Sequence, residues 1–99
     1  MEAISDWCGR LIGGRYMLNT CLHKGSMSNV FKAWDCKEGI WVVVKIATKR
    51  PGDDDRDNLI VRLKNEAVAL WHIDHPRVVR LLDSGEGENV YFIVLEYIE

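Results

Sequence analysis

The sequence predicts an α+β fold in which one helix packs on an antiparallel sheet of about five strands. Three segments of strand-like composition, residues 16–22, 29–35 and 40–48, follow one another across short turns. Apolar residues then recur at helical spacing, and two further strand-like segments, 78–83 and 90–98, come after them. Three strands, one helix and two strands in this order are typical of a sheet that carries its helix on one side.

The first three strands are predicted to form an antiparallel meander, because their connections are too short for a crossover. Segment 40–48 carries the strongest strand signal, since it is rich in β-branched residues. The helix is expected to begin at an N-cap, Asp57 or Asn58, and to end near Ile73, because Pro76 disfavours helical geometry at the residue before it. The residues at helical spacing are Leu59, Leu63, Ala67 and Leu70.

Length and composition restrict the class of protein. The 99 residues are enough for one domain, and 47% apolar with 28% charged residues is typical of soluble globular proteins. A net charge of −2 gives no basic footprint for nucleic acid. The longest apolar runs fall far short of the about 20 residues of a membrane helix, and the acidic N-terminus argues against a secretory signal. We expect a cytoplasmic protein.

Candidate metal ligands are few in the sequence. The three cysteines are widely spaced and fit a reducing compartment better than a disulfide framework. His72 and His75 stand at i and i+3, but Pro76 follows at once. The acidic run at residues 53–55 follows Pro51 and is most simply a solvated loop. We therefore expect no metal site formed by this chain.

Two charged residues stand out against the predicted scaffold. Lys45 interrupts the most apolar strand, and alternation places it on the same face as Trp41 and Val43. Glu66 lies on or beside the apolar stripe of the helix. An unpaired buried charge is very costly, so the simplest arrangement docks the helix on the sheet and pairs Glu66 with Lys45. The alternative is that both side chains reach solvent at the edge of the core.

A turn-rich stretch, HKGSMSNVFKAWD at residues 23–35, precedes the lysine-bearing strand. A tight hairpin can aim backbone N–H groups at phosphate oxygens, and a lysine on the next strand can supply a positive charge. The stretch therefore favours a phosphate-binding hairpin over an ordinary loop, and this interpretation in turn favours the paired arrangement of Lys45 and Glu66.

Six motifs occur in one order along the chain: GRY, HKGSMSNV, VVVK, KNEA, HPRVVRLLD and YFIVLEY. In this order they resemble the N-terminal lobe of a protein kinase, most closely of the bacterial serine/threonine class. The resemblance covers residues 14–99, which leaves residues 1–13 as a leader. It implies transfer of the γ-phosphate of Mg-ATP to protein hydroxyls. It also implies a protein substrate for the complete enzyme.

The resemblance assigns roles to individual residues. Lys45 would hold the α- and β-phosphates of ATP, and Glu66 would orient Lys45. The remaining nucleotide contacts would come from Leu22, Val30 and Val43 around the adenine, Leu95 as the gatekeeper, the backbone of Glu96 and Ile98 at the adenine edge, and the amides around Gly25, Ser26 and Met27 over the phosphates.

The sequence departs from the family pattern at several positions. The glycine-rich G-x-G-x-x-G falls on His23, Gly25 and Ser28, so only the central glycine is present. Losing a glycine where the backbone must approach a ligand costs on the order of 1 kcal/mol. Val43 replaces the usual alanine and adds bulk beside the adenine. We expect nucleotide binding to persist but to be weak.

The sequence holds no H-R-D catalytic loop and no D-F-G motif, and it stops within the expected hinge. Magnesium would therefore be held by residues outside this chain, and we expect a fragment that is not catalytic alone, with the C-terminal lobe absent. One alternative is a pseudokinase-like lobe that acts as a protein-interaction module without phosphoryl transfer. The other is a chance α+β resemblance, in which Lys45 and Glu66 are solvated edge charges.

Overall fold

The computed structural model describes residues 7–24, 29–48, 65, 80–87 and 90–98. Most of these residues form one curled antiparallel sheet with the strand order β1-β2-β3-β4-β6-β5. The strands are β1 (Leu11–Ile12), β2 (Tyr16–Lys24), β3 (Asn29–Asp35), β4 (Ile40–Thr48), β5 (Leu81–Gly87) and β6 (Val90–Glu96). Across the described ranges, no helix is long and apolar enough to cross a membrane.

The antiparallel sheet is confirmed, but the described residues contain six strands rather than five. The bounds of β3 and β4 are those predicted, whereas β2 continues to Lys24 and β6 ends at Glu96. The segment expected at 78–83 is the strand 81–87, which runs through residues expected to form a loop. Asn65 is helical and exposed, whereas the rest of the predicted helix, its N-cap and the histidine pair lie outside the described residues.

The additional strand, β1, lies ahead of the predicted first strand. Leu11 pairs with Met17 and Ile12 with Tyr16. Gly13 and Gly14 have φ of 60° and 68°, and the Arg15 N–H donates to the Ile12 carbonyl across 3.1 Å. Positive φ at both central positions is the requirement of a type I′ hairpin turn, which explains the Gly-Gly pair.

The sheet carries apolar clusters on both of its faces. Period-two alternation along β4 sends Val42, Val44 and Ile46 to one face and Val43 and Lys45 to the other. The larger cluster, on what we call the inner face, contains Tyr16, Leu18, Phe31, Ala33, Val42, Val44, Ile46, Phe92 and Val94, with Trp7, Ile12, Cys21 and Val90 packed against it. The outer-face cluster contains Ala47, Leu81, Ile93 and Leu95, with Val43 and Tyr91 beside them.

The sheet curls around the inner cluster. β2 and β5 are separated by three strands in the sheet order, yet the Tyr16 hydroxyl donates to the Asp83 carboxylate across 2.6 Å. The rings of Tyr16 and Phe92 meet edge to face, with centroids 6.1 Å apart. These contacts require strands that are distant in the sheet to face each other. The inner face is therefore concave.

An ion pair between buried Asp35 and half-buried Arg15 closes one end of this concave face. Asp35 is 2% exposed and accepts two hydrogen bonds from Arg15, from Nε and Nη2, each 2.8 Å long. Its Oδ1 atom also accepts the backbone N–H groups of Lys37 and Glu38 in the β3–β4 turn. A bidentate guanidinium–carboxylate pair is among the stronger interactions available to a small domain. Asp35 thus ties the β1–β2 turn to the turn between β3 and β4.

We expect this ion pair to make the chain sensitive to acid. The hydrogen bonds from Arg15, and then those from the turn amides, lower the Asp35 pKa from 3.8 to about 2. Because the folded-state pKa lies below that of the unfolded chain, the stabilisation is complete above about pH 4 and is lost as the pH falls toward 2. Urea unfolding of Asp35→Asn should show a smaller loss of free energy between pH 5 and pH 2.5 than wild type. Equal losses in both proteins would contradict this assignment.

Candidate functional site

Lys45 lies near the middle of the sheet, on the outer face. It stands between Val43 and Ala47 on β4, opposite Val30 of β3 on one side and Ile93 of β6 on the other. Its side chain is half-buried. The predicted partner of Lys45, Glu66, lies outside the described residues. The structure thus describes the lysine and its sheet neighbours but not the predicted pair.

Two predicted adenine contacts, Val30 and Val43, and the predicted gatekeeper Leu95 share this face with Lys45. Val30 is the cross-strand partner of Lys45, and Val43 is the partner of Leu95. Opposed residues in an antiparallel pair have Cα atoms only about 4.5–5.5 Å apart, so the four residues form one continuous patch across three strands. Leu95 is 5% exposed and belongs to the outer-face cluster. This patch, Val30, Val43, Lys45 and Leu95, is called the lysine patch below.

The other predicted nucleotide contacts lie at the periphery of the lysine patch or outside the described residues. Leu22 is 49% exposed near the end of β2, at an irregularity in the pairing with β3. Glu96 ends β6, and its N–H donates to the Arg80 carbonyl across 2.9 Å. Ile98 follows the strand and is 61% exposed. Gly25, Ser26 and Met27 fall outside the described residues, so their predicted contact with phosphate remains a prediction.

Lys32 is a second lysine on the outer face that sequence reasoning missed. It is the cross-strand partner of Val43, and its Nζ atom lies 4.5 Å from the ring centroid of Trp41 and 4.8 Å from that of Tyr97. Cation–π contacts at such distances hold an ammonium group in a defined position. Alternation along NVFKAWD places Lys32 on the same face as Val30, so the signal was present in the sequence.

The lysine patch combines an apolar surface with a positive charge at its edge. Valine and leucine side chains can cover the face of a flat aromatic base, and an ammonium group can bind the phosphates attached to that base. No group of three or more metal-ligating side chains is present among the described residues. The apolar side chains and the ammonium group of the lysine patch offer binding and charge neutralisation.

Sequence comparison shows which class of protein the chain is similar to. The chain is 38% identical over 93 residues to a probable serine/threonine-protein kinase of Clostridium perfringens, which covers 92% of the chain. It is 35% identical over 91 residues to the serine/threonine-protein kinase PrkC of Bacillus subtilis, and 34% identical over 98 residues to a probable kinase PknB of Bifidobacterium longum. No protein-family model matches the chain.

The matched region is a small part of these relatives. The chain spans 13% of the Clostridium protein and 14% of each of the other two. The identity nonetheless extends over 90–92% of this chain, which includes the strand that carries Lys45. The chain is therefore similar, over about nine tenths of its length, to a segment of bacterial serine/threonine-protein kinases, and its resemblance to their N-terminal lobe is confirmed.

Proposed function

We propose that this chain is the ATP-binding lobe of a serine/threonine protein kinase that transfers the γ-phosphate of Mg-ATP to protein hydroxyls. The observation that supports the proposal best is the register that places Lys45 beside Val30, with Val43 opposite Leu95 on the same face. Lys45 would neutralise the α- and β-phosphates, and the apolar side chains would cover the adenine. Glu66 would orient Lys45 from the helix.

The rest of the proposed site follows the resemblance. The backbone C=O of Glu96 and N–H of Ile98 would bind the adenine edge, Leu22 would close over the base, and the amides of residues 25–27 would cover the phosphates. Magnesium would be held by residues outside this sequence, so the chain supplies nucleotide binding and not phosphoryl transfer by itself. The complete enzyme would act on a protein substrate in the cytoplasm.

Substitution of Lys45 tests the proposal. Because Lys45 supplies the positive charge of the lysine patch, we expect Lys45→Ala to lower the affinity for Mg-ATP by more than about tenfold, which is 1.4 kcal/mol. Calorimetric titration of the chain with Mg-ATP measures the effect. Lys37→Ala, an exposed lysine in the β3–β4 turn, is the matched control and should bind like wild type. Unchanged binding in Lys45→Ala would contradict the proposal.

The second candidate function is a pseudokinase-like interaction module without phosphoryl transfer, because the predicted phosphate hairpin lacks two of the family's glycines. If wild type gives no heat with Mg-ATP under the same conditions, the pseudokinase-like interaction module becomes the better interpretation. The observation that favours it is the replacement of the outer glycine positions by His23 and Ser28. The calorimetric titration therefore separates the two functions.

Restoring the glycines should strengthen nucleotide binding. Each side chain at positions 23 and 28 would restrict the approach of the backbone to phosphate at a cost on the order of 1 kcal/mol. His23→Gly with Ser28→Gly is therefore expected to raise the affinity for Mg-ATP by about thirtyfold. His23→Ala with Ser28→Ala removes most of each side chain but keeps the Cβ atom, and should give little gain. The same titration measures both variants, and an equal gain in the two would refute the backbone explanation.

A further inference from the structure

A row of exposed apolar side chains crosses four strands of the outer face. Leu11, Met17, Trp34 and Trp41 are successive cross-strand partners, from β1 to β4. Their exposed fractions are 49%, 44%, 36% and 38%. Single exposed apolar residues are ordinary, but a continuous row of them marks a surface that binds something. We call these four residues the aromatic row.

The aromatic row borders a groove of about 480 Å³. Trp34 and Trp41 meet there edge to face, with ring centroids 5.0 Å apart. The side chains and backbone that line the groove are all uncharged: Gly9, Met17, Leu18, Asn19, Trp34 and Trp41. The volume lies in the range of sites that accept a large apolar side chain or a small molecule. The groove therefore offers an apolar anchor point.

A fixed positive charge adjoins one end of the row. Lys32 is two residues from Trp34 on β3, and its ammonium group lies over Trp41 and Tyr97. Because the two rings hold the side chain in place, binding an anion there costs less side-chain entropy than at a mobile surface lysine. An occupant that is apolar over the tryptophans and anionic beside them would match this surface in shape and charge.

The length of the row favours a polypeptide as the occupant. Four strands spaced about 4.8 Å apart extend over about 14 Å, the length of about four residues of extended chain at about 3.3 Å each. Alternate residues of an extended peptide point to the same side, so an apolar residue and an acidic residue two positions apart can face Trp41 and Lys32 together.

We propose that the aromatic row is the docking site of an extended, acidic peptide segment that places a large apolar side chain against Trp34 and Trp41 and a carboxylate beside Lys32. The site lies on the same face as the lysine patch but is built from other residues. The proposal does not depend on nucleotide binding, because none of the four row residues is a predicted ATP contact.

Three capped peptides test the proposal against the full chain. The first is Gly-Phe-Ser-Glu-Gly, the second has Lys in place of Glu, and the third has Ala in place of Phe. Heteronuclear NMR titration, followed at the tryptophan indole N–H signals, measures their affinities. We expect the acidic peptide to bind at least about tenfold more tightly than either of the others.

Reversing the charge at Lys32 gives the decisive comparison between the acidic peptide and the lysine peptide. Lys32→Glu should invert the preference, so that the lysine peptide binds more tightly than the acidic one. Lys24→Glu, an exposed lysine at the far end of β2, should leave the preference unchanged. Trp41→Ala should weaken both phenylalanine peptides, and circular dichroism verifies that each variant is folded. The proposal is overturned if no peptide binds at millimolar concentration, or if Lys32→Glu leaves the order of affinities as it was.

Discussion

Asp35→Ala is expected to lower the free energy of unfolding by about 3 kcal/mol, the cost of breaking an ion pair whose carboxylate is buried together with the hydrogen bonds of a turn. The substitution removes both acceptors of the Arg15 guanidinium and the acceptor of the Lys37 and Glu38 amides. For a domain of this size the loss corresponds to a fall in melting temperature of about 15 °C. Thermal and urea unfolding followed by circular dichroism measure it.

The adjoining turn offers a matched control for this substitution. Glu38 is an exposed acid three residues after Asp35, and only its backbone contacts the Asp35 carboxylate. Glu38→Ala removes one negative charge from the same turn but keeps the ion pair, so we expect a change within about 0.5 kcal/mol. If both variants lose the same amount of unfolding free energy, the negative charge of the turn, rather than the geometry of the Arg15–Asp35 pair, stabilises this end of the sheet.

The strands that could be predicted are those in which local composition and tertiary environment agree. β3 and β4 begin and end where β-branched, alternating segments meet turn residues, and Gly39 supplies the φ of 68° that their turn requires. β5 was misplaced because the residues from Ser84 to Gly87 have the composition of a loop. Phe92, on the neighbouring strand, lies over Gly85 and supplies the side-chain packing that the glycine lacks. That compensation depends on strand pairing and is not visible locally.

The candidate site likewise has features that could be predicted from the sequence and features that could not. Alternation was enough to predict that Val43 and Lys45 share a face, since this needs only one strand. The contact of Lys32 with Tyr97 was missed because Tyr97 lies just after β6, so that the contact follows from the register of three strands. The predicted pairing of Lys45 with Glu66 and the phosphate contacts of residues 25–27 stay predictions, because those residues lie outside the described ranges.

The contact between Gly85 and Phe92 predicts a second large loss of stability, which arises from packing rather than from charge. A Cβ atom at Gly85 would lie 2.3 Å from Cζ and 2.6 Å from Cε1 of the Phe92 ring. Phe92 is 6% exposed, and its ring already packs against Tyr16 on the inner face. The ring cannot move away from Gly85 without disturbing that contact. The added methyl group therefore forces the core to rearrange.

Gly85→Ala should lower the free energy of unfolding by about 2–3 kcal/mol, in the range that overpacking of a well-packed core costs, although alanine is better suited than glycine to a strand interior. Ser84→Ala, at the exposed neighbouring position, is the control and should change stability by less than about 0.5 kcal/mol.

A double-mutant cycle with Phe92→Leu measures the energetic coupling between positions 85 and 92. Because leucine lacks the Cζ atom that the new methyl group meets, Gly85→Ala should cost at least about 1 kcal/mol less in the Phe92→Leu background. Equal costs in both backgrounds would show that the ring is not the source of the strain, and that a property of the Gly85 backbone sets the requirement for glycine.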